Sequence, residues 1–130
     1  TSLAPNVSQY WYVYGEILRI NKKPEDAKNA YNRAINAKPP HPKAAAKYAL
    51  MLYEAQQFPE AEVFLTDSLS KDPRNPSLYY NLGWVYSAQK KYKLGVDAFE
   101  RFLELAAKED KERPKAIAEI KALKKKGGLR

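Results

Sequence analysis

The sequence repeats itself every 34 residues. Sliding the chain by that distance aligns small residues with small residues, and large apolar residues with one another, in three successive copies. The clearest columns are Gly15/Ala49/Gly83, Ala27/Ala61/Gly95, Tyr31/Leu65/Phe99 and Ile35/Leu69/Leu103. A fixed period of this length is typical of stacked units that are each too small to bury their own apolar face. We therefore expect a tail and three units: residues 1–7, 8–41, 42–75 and 76–109.

Each unit is predicted to be a pair of helices, because its apolar residues recur at helical spacing and its prolines fall at matching places. In the first unit Pro24 is followed by Glu25 and Asp26. Proline needs no N–H partner in the first turn of a helix, and carboxylates complement the positive end of the helix dipole. The stretch QQFPEAE repeats this device in the second unit. The first helix is predicted to run from about Val7 to Asn21.

These columns resemble the tetratricopeptide repeat family, whose unit follows the pattern W-x-x-L-G-x-x-Y, then A-x-x-x-F, then P. The stretches WYVYGEIL (Trp11 to Leu18) and YYNLGWVY (Tyr79 to Tyr86) match the first part, and AKNAY (Ala27 to Tyr31) matches the second. The resemblance implies an all-α, right-handed superhelical stack of three helix-turn-helix repeats. It also implies that Trp11 and Tyr14 belong to the packed framework.

Residues 110–130 are predicted to form a C-terminal capping helix and a basic tail. A terminal unit exposes the face that internal units bury, so a solenoid ends in a helix with one polar side. The stretch 113–126 fits this role, with an apolar stripe formed by Ala116, Ile117, Ile120 and Leu123. Gly127 and Gly128 end the helix. No equivalent cap precedes residue 8, so Tyr10 is expected to contact upstream sequence or a second molecule, which leaves self-association open.

The resemblance also implies a binding surface, because the first helices of such a stack line its concave face. The predicted partner-binding groove is formed by Tyr12, Glu16, Arg19, Lys43, Lys47, Leu50, Tyr53, Ser77, Tyr80, Asn81 and Trp84. Exposed aromatic and apolar patches of this kind mark recognition sites. The expected ligand is an amphipathic helix or an extended peptide with apolar anchors. The alternative is that the C-terminal helix or the N-terminal tail covers the groove.

One class of ligand is disfavoured. Family members that grip the acidic C terminus of cytosolic heat-shock chaperones use a clamp of lysines, asparagines and an arginine at set groove places. The matching positions here are Tyr12, Glu16, Lys47, Ser77 and Asn81. Most of that clamp is therefore absent.

The net charge of +8 offers a second interpretation. Residues 108–130 hold nine Lys/Arg against four Asp/Glu. The basic tail formed by Lys121, Lys124, Lys125, Lys126 and Arg130 could bind nucleic acid or an anionic membrane. Lysines in the last turn of a helix also stabilise its negative end, and the tail has no aromatic residue on which a base could stack. A nucleic-acid or membrane partner is therefore the alternative to a protein partner.

The composition argues against catalysis and against a cofactor. The chain has no cysteine, and its one histidine, His41, lies in the turn PPHP without an acidic neighbour or a nucleophile. The acidic pairs fall at helix starts, where the helix dipole already explains them, so no metal site is predicted. We expect a non-catalytic interaction adaptor or scaffold without a cofactor. Its location stays open between the cytoplasm and, for a processed mature form, the cell envelope or periplasm.

Overall fold

The computed structural model describes residues 4–130, with side chains from residue 7 onward. These residues form seven helices and no strand, so the predicted all-α fold is confirmed. The helices are α1 (Ala4–Ile20), α2 (Pro24–Asn36), α3 (Ala44–Glu54), α4 (Phe58–Lys71), α5 (Pro76–Ala88), α6 (Tyr92–Leu105) and α7 (Arg113–Lys126). None of these seven helices is long and apolar enough to cross a membrane.

Several helix boundaries are where the prolines and glycines predicted them. Pro24 opens α2, and α7 spans the predicted residues 113–126 with Gly127 at its C-cap. The first helix differs, because it already includes Ala4 rather than starting near Val7. Pro5 lies in the first turn of α1, where proline is favoured, so the sequence holds a start signal that the prediction overlooked.

The chain forms two compact units. The first extends to Ala55 and contains α1 to α3, with α1 packed on α2 and α2 packed on α3. The second runs from Gln56 to Arg130, and within it α4 packs on α5, α5 on α6, and α6 on α7. Each helix in a unit thus packs on its neighbours along the chain, as expected for stacked hairpins.

Two glycines allow the helices of a hairpin to approach. A Cβ atom placed on Gly15 would lie 2.8 Å from the ring of Tyr31, and one on Gly83 would lie 2.7 Å from the ring of Phe99. These distances are shorter than any normal contact between carbon atoms. The small-residue column therefore exists because a large ring from the second helix fills the space above it.

Each unit has its own buried cluster. In the first, Tyr31 packs with residues of all three helices, and Trp11, Tyr12 and Tyr48 pack around this cluster. In the second, Phe99 and Phe102 of α6 pack against Ala116 and Leu123 of α7. The capping helix is therefore part of the core of the second unit.

Two predictions about buried side chains are wrong. Tyr14 is 43% exposed, since no described helix covers that side of α1. Ile117 is 55% exposed, whereas Ala116 and Leu123 are fully buried. Residues 116, 120 and 123 share one face of α7, but residue 117 is rotated by about 100° from residue 116 and so points to solvent.

The turns between first and second helices repeat the 34-residue period in the backbone. Lys22, Gln56 and Lys90 all have positive φ angles, of 60°, 60° and 61°. After the first of these turns, the Lys23 N–H donates to the Leu18 carbonyl, 2.9 Å away. This bond closes the C-terminal end of the first helix in the manner of a Schellman motif. The same backbone geometry thus recurs at these three turns.

Glycine at one of these turn positions is expected to stabilise the protein. A side chain in the left-handed region costs about 1–2 kcal/mol, while the greater flexibility of glycine in the unfolded chain costs about 0.5–1 kcal/mol. Lys22→Gly should therefore raise the free energy of unfolding in urea by about 0.5–1 kcal/mol. The matched control Lys22→Ala keeps the Cβ atom and should bring no gain. Equal effects of the two substitutions would contradict the explanation.

Candidate partner-binding surface

Three side chains of the first unit form an ordered group at the start of α1 and α3. The rings of Tyr12 and His41 are stacked, with centroids 4.0 Å apart and planes 5° from parallel. The Nε2 atom of His41 lies 2.8 Å from Oε1 of Gln9. Because the Lys43 backbone N–H donates to Nδ1, the imidazole is held as the neutral tautomer with its proton on Nε2. Burial and the nearby Lys43 cation lower the pKa of His41, which also favours the neutral ring.

A second group of the first unit surrounds Glu16. Its carboxylate accepts a hydrogen bond from the Tyr31 hydroxyl. Arg19 lies 3.5 Å and Lys47 4.0 Å from the same carboxylate. Lys47 belongs to α3, so this ion pair joins the first helices of two successive repeats.

The charge of Glu16 is stabilised within this group. Burial alone raises the pKa of Glu16, but the Tyr31 hydrogen bond and the two neighbouring cations outweigh it and lower the pKa below its ordinary value. Burial and the carboxylate together raise the pKa of Tyr31. Glu16 is therefore an ionised residue that neutralises Arg19 and Lys47, which reduces the positive charge that the first unit offers to a ligand.

The remaining predicted residues of the first unit lie on or next to α3. Lys43 is exposed, while Leu50 and Tyr53 are partly buried. Lys47 keeps 30% of its side chain exposed. The first unit thus places apolar and positively charged side chains on neighbouring helices.

In the second unit, the side chain of Tyr80, which belongs to α5, contacts α6 and the start of α7. Its ring is 5.0 Å from that of Phe102, and its hydroxyl donates to Glu112, 2.9 Å away. Burial, together with the Glu112 carboxylate, raises the pKa of Tyr80 to about 12. Tyr80 therefore remains neutral throughout the physiological pH range and acts as a hydrogen-bond donor to this carboxylate.

Trp84 lies one turn further along α5. Its ring meets the ring of Phe99 edge to face, 5.4 Å away, and packs on the cluster that includes α7 residues. Tyr80 and Trp84 are both partly buried, so neither residue is fully enclosed. The C-terminal helix therefore contacts this part of the surface without enclosing it.

The two polar residues predicted on α5 have different environments. Ser77 is exposed, and its backbone N–H donates to Asn75, which caps the N terminus of the helix. Asn81 is partly buried. The predicted set is thus divided between the two units, with the residues up to Tyr53 in the first and those from Ser77 in the second.

Sequence analysis missed the role of His41. It placed this histidine in a turn without an acidic neighbour or a nucleophile, and it did not connect the residue with Gln9 and Tyr12, which lie about 30 residues earlier. The same separation recurs in the second unit, where Ser87 donates to Glu119 over 32 residues at 3.3 Å. Both contacts join residues that are 32 positions apart, but this spacing alone does not say which polar pairs form hydrogen bonds.

The basic tail is mostly exposed. Lys124, Lys125 and Lys126 form the last turn of α7, where they face the negative end of its dipole. Lys124 is partly buried, whereas Lys121, Lys125, Lys126 and Arg130 are exposed.

Residues 2–113 match the family model described as the cytochrome c-type biogenesis protein H TPR domain. The chain belongs to this tetratricopeptide repeat family. The resemblance predicted from the sequence columns is thereby confirmed. Among curated proteins, the TPR domain is 26% identical over 106 residues to human tetratricopeptide repeat protein 7B. That alignment covers 82% of this chain and only 13% of the human protein.

Several solved structures share the fold. The first TPR of Spaghetti (RPAP3), bound to the HSP90 peptide SRMEEVD, has a TM-score of 0.81 at 18% identity and covers 95% of this chain and 94% of its own. The TPR2B domain of yeast Sti1 in its pHsp70 complex has a TM-score of 0.80 at 16% identity, covering 92% and 97%. MamA has a TM-score of 0.77 at 17% identity, covering 99% and 73%. At these identities the likeness concerns the fold of the TPR domain.

Proposed function

We propose that this TPR domain is a non-catalytic adaptor that binds an apolar-anchored peptide or amphipathic helix of a partner protein along the first helices of its repeats. The observation that carries the proposal is the contact between two predicted groove residues, Glu16 of α1 and Lys47 of α3, whose charged groups lie 4.0 Å apart. Side chains that meet in this way belong to one surface. Two domains of the same fold are solved with chaperone peptides or complexes, which supports a protein partner.

The chemistry of the surface limits the ligand. Tyr12 and Leu50 offer apolar contact area in the first unit, and Trp84 offers it in the second; rigid rings supply such area at little entropic cost. Lys43 adds an exposed positive charge beside Tyr12. The proposed ligand therefore carries apolar anchors, and it has an acidic residue at the end that contacts Lys43.

The acidic chaperone peptide is expected to bind weakly. Glu16 stands at one of the clamp positions, and its carboxylate would repel the carboxylates of such a peptide. The peptide SRMEEVD, which occupies the RPAP3 domain, is therefore a suitable negative control. The matched family model is named for cytochrome c biogenesis, so proteins of that process are the first partners to test.

The test compares two apolar-to-charge substitutions. Leu50→Lys should weaken capture of a partner by at least about tenfold, because a lysine cannot fill an apolar contact in the groove. Val63→Lys changes an exposed valine of α4 that lies outside the predicted groove and should leave capture unchanged. Captured proteins are quantified by mass spectrometry, after circular dichroism has shown that both variants are folded.

The result also separates the adaptor from the alternative surface. If Leu50→Lys captures the same partners as the wild-type protein, the groove proposal is wrong. If capture is instead lost in Lys125→Glu/Lys126→Glu and is strongly salt-dependent, the basic tail is the binding surface.

A further inference from the structure

The outer side of α1 carries a continuous apolar face. Six of its side chains are between 41% and 70% exposed. They are Val7, Tyr10, Val13, Tyr14, Ile17 and Ile20. The rings of Tyr10 and Tyr14 are stacked, with centroids 6.2 Å apart, so the centre of this face is a flat aromatic surface. We call these six residues the α1 face.

The 34-residue register shows which positions of the later helices correspond to this face. Tyr10 corresponds to Ala44 and Leu78, and Ile17 corresponds to Met51 and Val85. The four counterparts are only 0–6% exposed, because α2 packs on α3 in the first unit and α4 packs on α5 in the second. In α1, by contrast, Tyr10 and Ile17 are exposed, because none of the described helices packs on this side of α1. The part of the α1 face around Tyr10 and Ile17 therefore corresponds to a helix-packing surface, whereas the counterparts of Val7, Val13 and Ile20 are polar or exposed.

The size of the face is sufficient for a weak dimer. At its exposed fraction, each of the six side chains contributes on the order of 100 Å² of accessible surface, which gives roughly 600 Å² per copy. Two such faces would bury about 1,200 Å² together, which is the lower end of the range for specific interfaces. A patch of this extent is at the upper end of the range for a monomer, where the largest apolar patch is often functional.

Charge favours pairing through α1. The helix contains only two charged residues, Glu16 and Arg19, which form an ion pair with each other at 3.5 Å. A chain with a net charge of +8 would repel a second copy across most surfaces, but α1 itself is neutral. Two α1 helices can therefore approach without repulsion between like charges.

We propose that the α1 face is a self-association surface on which two copies of this chain pair, with the two α1 helices antiparallel. The antiparallel arrangement opposes the helix dipoles and gives a symmetric interface. Its centre lies between Val13 and Tyr14, which sets Tyr10 of one copy opposite Ile17 of the other. Val13 shares a repeat place with the predicted groove residues Lys47 and Asn81, but Tyr10 and Ile17 do not, so substitutions at these two positions test this proposal separately from the groove.

The first experiment measures the mass of the full chain by sedimentation equilibrium over a wide range of concentrations. The wild-type protein should dimerise reversibly. Tyr10→Lys and Ile17→Lys should each weaken the dimer by at least about tenfold, whereas the matched control Val63→Lys should not. These positions are exposed, so the variants should fold normally. A wild-type monomer at every concentration, or a dimer unaffected by either α1 substitution, overturns the proposal.

The second experiment tests the antiparallel arrangement by disulfide cross-linking. The chain has no cysteine, so a single Tyr14→Cys variant has one thiol per copy. Near the centre of the interface these thiols should join readily in air with a copper catalyst, since a disulfide needs Cα atoms within about 7 Å. In Ile20→Cys the two positions would be about 20 Å apart along the helices and should not join. Efficient cross-linking of Ile20→Cys, alone or together with Tyr14→Cys, overturns the antiparallel pairing, since a parallel pair would join both positions.

Discussion

Gly83→Val is expected to lower the free energy of unfolding by about 3 kcal/mol. A Cβ atom at this position would lie 2.7 Å from the ring of Phe99, and valine adds two methyl groups beyond it. The ring is rigid and cannot move aside, because Tyr80 and Trp84 pack against it at 5.9 and 5.4 Å. Valine has the better helix propensity, but only by a few tenths of a kcal/mol, which is too little to offset the overlap.

Urea denaturation measures this effect, and two variants isolate its cause. Ala88→Val introduces the same residue at an exposed position of α5 and should change stability by less than about 0.5 kcal/mol. Adding Phe99→Val to Gly83→Val removes the overlapping ring, so the double variant should lose less than the sum of the single losses. Strict additivity would show that the two residues do not compete for the same space.

Phe102→Ala is expected to cost about 4 kcal/mol, the largest effect of a single substitution that we predict. Phe102 is 2% exposed and packs with Ala116 and Leu123 of α7. Its ring is also 5.0 Å from that of Tyr80. Alanine would leave a cavity where α5, α6 and α7 meet. Besides the loss of stability in urea, amide hydrogens of residues 113–126 should exchange faster, because α7 loses its main apolar contact.

Leu94→Ala is the matched control for this substitution. Leu94 lies on the same helix but is 46% exposed, so its truncation should cost less than about 1 kcal/mol. If Phe102→Ala and Leu94→Ala lose the same stability, α7 is not held by the packing around Phe102.

The fold could be predicted from the sequence where one local signal decides the structure. Proline and glycine fixed the start of α2 and the end of α7, because their backbone preferences act without help from distant residues. The close contacts of Gly15 and Gly83 followed from the repeat columns. Tyr14 was wrongly predicted because the family column assumes a preceding helix that covers it. The prediction that Ile117 belongs to the packed stripe was wrong because helical spacing alone does not distinguish two adjacent residues at the edge of a stripe.

The candidate surface was less predictable. Choosing residues by repeat place put Glu16 and Lys47 in one predicted set, and their charged atoms lie 4.0 Å apart in the structure. The contacts of Gln9 with His41 and of Tyr80 with Glu112 depend on how the next hairpin is stacked, which no short motif encodes. The covered side of Trp84 likewise depends on α6 and α7 rather than on its own helix.

The stack of Tyr12 on His41 has a consequence for any ligand of the first unit. Gln9 and the Lys43 backbone hold the imidazole by both of its nitrogens, so the two rings keep one orientation before a ligand arrives. Little further freedom of the receptor is then lost on complex formation. The entropic penalty of binding therefore falls mainly on the incoming chain. Among ligands with the same side chains, a rigid one should bind more tightly than a flexible one.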